Sequence, residues 1–373
     1  MQKADISRSN FIHLLRWTSA FLVVFSHLRS ILFKDFPLIT HKGYFTLFFY
    51  FFTGLGHQAV IVFFVLSGYL IAGSIITQIR KGVFDVKNYA LSRASRLYAV
   101  LIFALLLTVV LDHVGIYFDK IGLYTGKLNA ATLGFSISDR LSFSYFSSSL
   151  LMLQTIVLPP LGSNSPLWSL ANEFWYYILF PCCALLIVFI KVKSSYSLLC
   201  VFILILLGWF LPFNIEVYFL IWLIGLIPFY ISLKQTSFKF ILAILFVVWL
   251  ALKKTVHIDN FLYDFFLGLI VAFWVASFDN YNQLSNQGLL KINEKLSSFS
   301  YSTYLVHFPI IMLTLTLIKN HFSTGIWIEP GLKGYFIFTC VFVFVVACSY
   351  LVATFTEFKT ARFRGYLKQI FLK

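Results

Sequence analysis

The sequence predicts an all-α fold, a polytopic bundle of about ten transmembrane helices with both termini in the cytoplasm. Three observations carry that expectation. Of 373 residues, 60% are hydrophobic and only 12% charged, with a mean hydropathy of +0.87, whereas a soluble domain carries about 25% charged residues. Apolar windows of membrane-crossing length, roughly 17–25 residues, recur along the chain. Lys and Arg are biased to one set of connections, 18 on the side that would face the cytoplasm against 10 on the other, with Arg16 inside the first window.

The first window, 11–33, is too long for the apolar stretch of a signal peptide. It contains Arg16 and His27 and lacks a small-residue cleavage site, so it is expected to stay as the first span. Further windows follow at 57–79, 91–111, 167–190, 196–212, 216–232, 238–253, 259–278, 299–319 and 334–357. Two shorter stretches, 44–53 and the Ser-rich 145–158, read as re-entrant or interfacial segments. The segment 112–166 is expected as an extracytoplasmic loop region whose Ser, Tyr, Asn, Lys and Asp content suits sugar hydroxyls, and 359–373 as a basic cytoplasmic tail. With no Gly/Ser-rich linker or long polar block, residues 1–373 read as a single membrane-embedded domain. The five cysteines (Cys182, Cys183, Cys200, Cys340, Cys348) fall inside windows without ligand spacing, so free buried thiols and no metal site are expected. The charge of +15 follows from the basic inner loops. It predicts attraction to anionic headgroups and calls for no nucleic acid.

Few polar residues interrupt the windows, and an ionised group at bilayer depth is paired, wet or functional. Glu173 stands in the middle of one apolar run and has Ser169 and Tyr177 as i−4 and i+4 neighbours. It reads either as a polar lock between helices or as a carboxylate that orients a histidine or accepts from a reacting hydroxyl. A Ser–His–Glu triad would lack the strand–turn–helix elbow that exposes such a serine. Arg16 and His27 are eleven residues apart, on one helix face and about 16 Å from each other along the axis. Arg16 is an interface anchor or part of a site. His27 is a satisfied polar residue or a general base, for which an imidazole is well matched near neutral pH. Arg93 and Arg96, at i, i+3, decorate a cytoplasmic edge or grip phosphates together with Arg80, Lys81 and Lys87. Gly68 and Ala72 favour close helix packing, and Ser67 beside them has no evident catalytic duty. Tyr304 and His307 share a face and read as helix–helix hydrogen-bonding groups or members of the site.

Taken together, these segments resemble the membrane acyltransferase 3 family, integral-membrane O-acyltransferases that modify bacterial surface polysaccharides. The matching pieces are Arg16-x10-His27, the run Phe63-Phe64-Val-Leu-Ser67-Gly68, Arg93-x-x-Arg96-Leu-Tyr, Trp168-Ser169-Leu-x-x-Glu173 continuing to Pro181, and Ser302-Thr-Tyr304-Leu-x-His307. They occur in the family's order. Where the family commonly has an acidic residue three positions before the arginine of the first span, this chain has His13, and Ala99 stands where proline is frequent.

The resemblance implies an acyl-CoA co-substrate, usually acetyl-CoA, with no tightly bound cofactor. The acceptor would be a glycan or polysaccharide hydroxyl, and the place a bacterial inner membrane, with a homo-oligomer left open. It assigns His27, Glu173 and Arg16 to the catalytic set and Arg93 and Arg96 to the coenzyme phosphates, with Trp168, Ser169, Tyr304, His307 and Ser67 in support. Two other classes compete. A flippase of lipid-linked glycan shares the polytopic form, although no inverted repeat is evident. A non-catalytic subunit of a polysaccharide-synthesis complex is the third.

Overall fold

The computed structural model describes residues 3–126, 134–253, 256, 258–278, 287–322 and 327–371. Its helices are α1 (Lys3–Leu32), α2 (Tyr44–Phe52), α3 (Gly56–Arg80), α4 (Val86–Phe118), α5 (Phe143–Leu150), α6 (Leu167–Lys191), α7 (Tyr196–Phe210), α8 (Phe213–Ile224), α9 (Ile227–Tyr230), α10 (Ser237–Leu252), α11 (Asn260–Ala276), α12 (Gln287–Ser297), α13 (Ser300–Phe322), α14 (Leu332–Phe355) and α15 (Thr360–Phe371). No strand occurs among the described residues. Lipid offers no partner for backbone groups, so a chain this apolar closes its hydrogen bonds within helices.

Among the described residues, seven stretches are long and apolar enough to cross a membrane: Ser7–Leu32, Tyr44–Arg80, Val86–Phe118, Leu167–Lys191, Phe213–Tyr230, Ser300–His321 and Leu332–Phe371. The other three predicted windows are also helices, α7, α10 and α11, but of 15, 16 and 17 residues. Of the two short apolar stretches, 44–53 forms α2, and 145–158 holds the end of α5 followed by a turn. Residues 127–133 of the 112–166 region, and 372–373 of the basic tail, lie outside the described residues. The rest of the tail, expected only as basic, is largely helical in α15.

Local chemistry explains several helix ends. Asp259 accepts from the Leu262 amide at 3.1 Å and caps α11. Gly82, at φ +66, closes α3, with the Val83 amide on the Gln78 carbonyl and its own on Ile79. These paired bonds satisfy the last carbonyls, and the left-handed conformation suits glycine.

Contacts divide the chain into two compact units. One comprises Met1–Trp17, Val60–Val86 and Asn172–Ser297, the other Thr18–Ala59, Lys87–Ala171 and Ser298–Lys373. In the first, α3 meets α8 so closely that a Cβ on Gly68 would fall on the Trp222 carbonyl, as expected of small residues at a helix crossing. The amphipathic α12 is fastened to α1 by polar pairs: Trp17 Nε1 to Asn293 Oδ1 at 2.9 Å, Asn293 Nδ2 to Asn10 Oδ1 at 2.7 Å, and His13 Nδ1 with Ser297 Oγ at 2.7 Å.

In the second unit, the end of α1 is tied to the segments flanking α14 and α13. The Lys34 amide donates to the Ile328 carbonyl and the Ile328 amide to Leu32. Lys34 Nζ meets Glu329 at 2.7 Å, and that bond holds the Glu329 carboxyl below its ordinary range. Buried Lys319 of α13 donates to the Ile31 carbonyl at 2.8 Å, occupying an acceptor the helix end leaves open. α1 and α13 are thereby held side by side.

Candidate functional site

α1 and α13 bring two imidazoles together. His27 is half-buried and His307 fully buried. His27 Nδ1 lies 2.9 Å from His307 Nε2, the ring centroids are 5.1 Å apart and the planes differ by 16°. The difference between those two distances is about an imidazole ring radius on each side. The nitrogens therefore lie on the line joining the rings, which meet edge to edge through in-plane nitrogens. Phe308 stands edge-on to His27 at 5.0 Å. Helical spacing supplies the far side of His307: its Nδ1 lies 3.1 Å from the Thr303 carbonyl and 2.8 Å from that of Tyr304, four and three residues earlier.

The turn after His307 carries Pro309, which lacks the amide that would bond Leu305. Asn164 fills the gap, its buried Nδ2 donating to the Leu305 carbonyl at 2.8 Å and to Thr108 Oγ1 at 3.1 Å. Beside Asn164, Ser163 gives its amide and its hydroxyl to buried Asp112, both at 2.7 Å. Gly162, at φ +52, packs against that carboxylate, and a Cβ there would strike it. On α13, the Tyr304 hydroxyl lies 3.1 Å from the Pro166 carbonyl and 2.6 Å from Ser169 Oγ. Ser169 Oγ also lies 3.4 Å from the Pro166 carbonyl, so the two hydroxyls and the carbonyl, which only accepts, form one closed polar cluster. Trp168 faces His57 with rings nearly parallel, 6.5 Å apart.

Arg93 and Arg96 sit in the first turns of α4, Arg93 half-buried and Arg96 exposed. Arg93 lies over the Tyr89 ring at 5.9 Å and reaches Ser92 Oγ at 3.4 Å. Arg364 of α15 comes to the same hydroxyl at 3.5 Å, adding a cation from a tail the sequence marked only as basic.

The remaining predicted residues belong to the first unit. Glu173 accepts from the Tyr177 hydroxyl, as the i, i+4 spacing expects. Tyr177 is 3.4 Å from Ser67 Oγ, which accepts from Trp222 Nε1 at 3.1 Å. Ser67 is thus a buried junction in a polar chain. Arg16 lies on the same continuous helix α1 as His27.

Sequence reasoning brought out His27, His307, Tyr304 and Ser169 but missed Asn164, Asp112, Ser163, Trp222 and Arg364. The sequence signals the need but not the donor: a proline inside a membrane helix leaves a carbonyl that some donor must satisfy.

A polytopic helical protein with an edge-to-edge imidazole pair and a basic helix edge is the class this structure defines. The chain belongs to the acyltransferase 3 family, whose model, described as an acyltransferase domain, matches residues 9–354. It is similar to a Haemophilus influenzae protein described as uncharacterized, with 29% identity over 154 residues, which is 40% of this chain and 56% of that protein. The match thus spans little more than half of that relative's length. No solved structure matches the chain.

Proposed function

We propose that this protein is a membrane O-acyltransferase, acting first as an O-acetyltransferase. It moves an acyl group from cytoplasmic acyl-CoA to a hydroxyl of a surface polysaccharide or lipid-linked glycan. The observation that carries this reading is His27, a half-buried imidazole held edge-on by a second imidazole in a lipid-embedded chain of an acyltransferase family. A general base needs a ring nitrogen open to the proton it takes, and the pairing at Nδ1 leaves Nε2 for that.

In the reaction, His27 takes the proton of the acceptor hydroxyl as its oxygen attacks the thioester carbonyl. The carbon–sulfur bond breaks, the coenzyme leaves as a thiolate, and the proton is returned to it. The products are an O-acyl ester and the free coenzyme thiol. Arg93 and Arg96 grip the coenzyme phosphates as charge-assisted donors, and Arg364, at the same serine hydroxyl as Arg93, adds a third guanidinium. By the family resemblance Arg16 and Glu173 also belong to the catalytic set, but the group hydrogen-bonded to His27 is His307, and Glu173 accepts from Tyr177.

The membrane is a bacterial inner membrane, with both termini cytoplasmic as the 18-to-10 distribution of basic residues supports. α7, α10 and α11 complete ten spans. At 15 to 17 residues each reaches about 22–26 Å, a mismatch that a locally thinned bilayer accommodates.

The test uses the purified protein in vesicles, with acetyl-labelled acetyl-CoA on the cytoplasmic side and a glycan acceptor. Label appearing on the glycan is the expected result. Glycan that crosses the bilayer unlabelled would instead assign a flippase, and neither event would leave a non-catalytic partner.

A further inference from the structure

We infer that His307 is a positioning residue that fixes the tautomer of His27 and so leaves the reactive lone pair on His27 Nε2. The inference deepens the proposed function and rests on it for its catalytic consequence. Its structural content stands by itself.

The argument begins at the far side of the pair. His307 Nδ1 faces the carbonyl oxygens of Thr303 and Tyr304 at 3.1 and 2.8 Å. A carbonyl has no hydrogen to give, so the proton must sit on His307 Nδ1. His307 is fully buried, and no acidic side chain among the described residues is hydrogen-bonded or ion-paired to it. An unpaired full charge there would be costly, so the ring is a neutral imidazole with a single N–H. Its Nε2 then has only a lone pair to offer.

That lone pair points at His27 Nδ1 across 2.9 Å, and the edge-to-edge geometry puts both nitrogens in line. The proton of the bond must come from His27, so His27 carries Nδ1–H. No acidic side chain among the described residues is hydrogen-bonded to it, so the resting ring is neutral too and its Nε2 is bare. Nε2 is the atom on the opposite side of the ring from the bond, the position from which a base takes a proton. An isolated imidazole favours the other tautomer, with Nε2 protonated and useless as a base. His307 reverses that preference, the service an acidic residue performs in a Ser–His–Asp triad. When His27 is protonated at Nε2, its Nδ1–H strengthens against His307 Nε2, and the Thr303 and Tyr304 carbonyls back His307 in turn. The positive charge is spread along a line of acceptors without a carboxylate at the end.

Three substitutions separate positioning from mere packing. His307→Gln places an amide oxygen near the former Nε2 and can still accept from His27. His307→Asn keeps a donor near the former Nδ1 but leaves His27 without its acceptor. His307→Ala provides neither. Label transfer should fall by about 10²-fold or more in Ala and Asn, with the KM for acetyl-CoA unchanged, and Gln should recover to within about tenfold of the wild type. Asn retaining as much activity as Gln, or all three variants losing acetyl-CoA affinity together, would overturn the inference.

A second measurement needs no activity. In histidine-15N spectra of the wild-type protein, with His27 assigned by its loss in His27→Ala, His27 should show a protonated Nδ1 and an unprotonated Nε2. In His307→Ala the Nε2–H form should rise. A protonated Nε2 in the wild type would sink the inference even if transfer is observed. The expected tautomer in a protein that transfers no label would uphold the assignment and sink the functional reading instead.

Discussion

Asn164 owes its place to a proline. Pro309 stands two residues after His307 and strips the Leu305 carbonyl of its helical partner, and the buried Asn164 amide supplies the missing donor. Thr108 already gives its hydroxyl proton to the Ala104 carbonyl, so it too needs the amide as donor. Both contacts thus fix the same orientation of the side chain. Asn164→Ala should lower stability by about 1–2 kcal/mol, between the cost of an orphaned buried acceptor and the modest worth of hydrogen bonds between membrane helices. The thermal midpoint of the detergent-solubilised protein measures it, and an unchanged midpoint would contradict the role. Single residues of this kind were the least legible part of the sequence. Glu173 and His27 stand out because charge and imidazole are rare in apolar runs. Asn164 lies in a loop full of polar residues and differs from its neighbours only in what it meets once folded.

Helices are where hydropathy reads best, and the reason is physical. Nine of the ten apolar windows each coincide with one helix, and the tenth, 216–232, with α8 and α9, because a lipid-facing segment has no other way to bond its backbone. The amphipathic pieces escaped: α12 carries Lys291, Glu294 and Lys295 among its apolar residues, and α15 carries Arg362, Arg364 and Lys368. Averaged over a window, such helices look like polar connections, and only their 3.6-residue pattern marks them. The α3–α8 crossing shows the converse, a packing feature legible from one small residue. Gly68→Ala should force the two backbones apart and cost about 1–3 kcal/mol, as overpacking does. The expected sign is a lower yield of folded protein and a lower thermal midpoint. Full wild-type stability would mean that the close approach to the Trp222 carbonyl is not held tightly.

At the scale of the whole molecule, a family resemblance first seen in five short motifs extends over residues 9–354. Several of the residues it assigned have found partners. His27 has His307, and Glu173 has Tyr177. The sequence could name the members of the first pair but could not join them, since 280 residues separate the two rings and no helical period spans that distance. The two helices that carry them are also joined where Lys319 donates to the Ile31 carbonyl. A polytopic chain that commits a half-buried and a fully buried imidazole to one hydrogen bond in this way has given up apolar packing for a polar line, and acyl transfer is the use proposed for it. The most direct test is His27→Ala in the vesicle assay, with insertion and acetyl-CoA binding verified. Transfer of label to the glycan should drop by at least about 10²-fold, the usual contribution of a general base. A correctly inserted His27→Ala protein that transfers label at the wild-type rate would contradict the account.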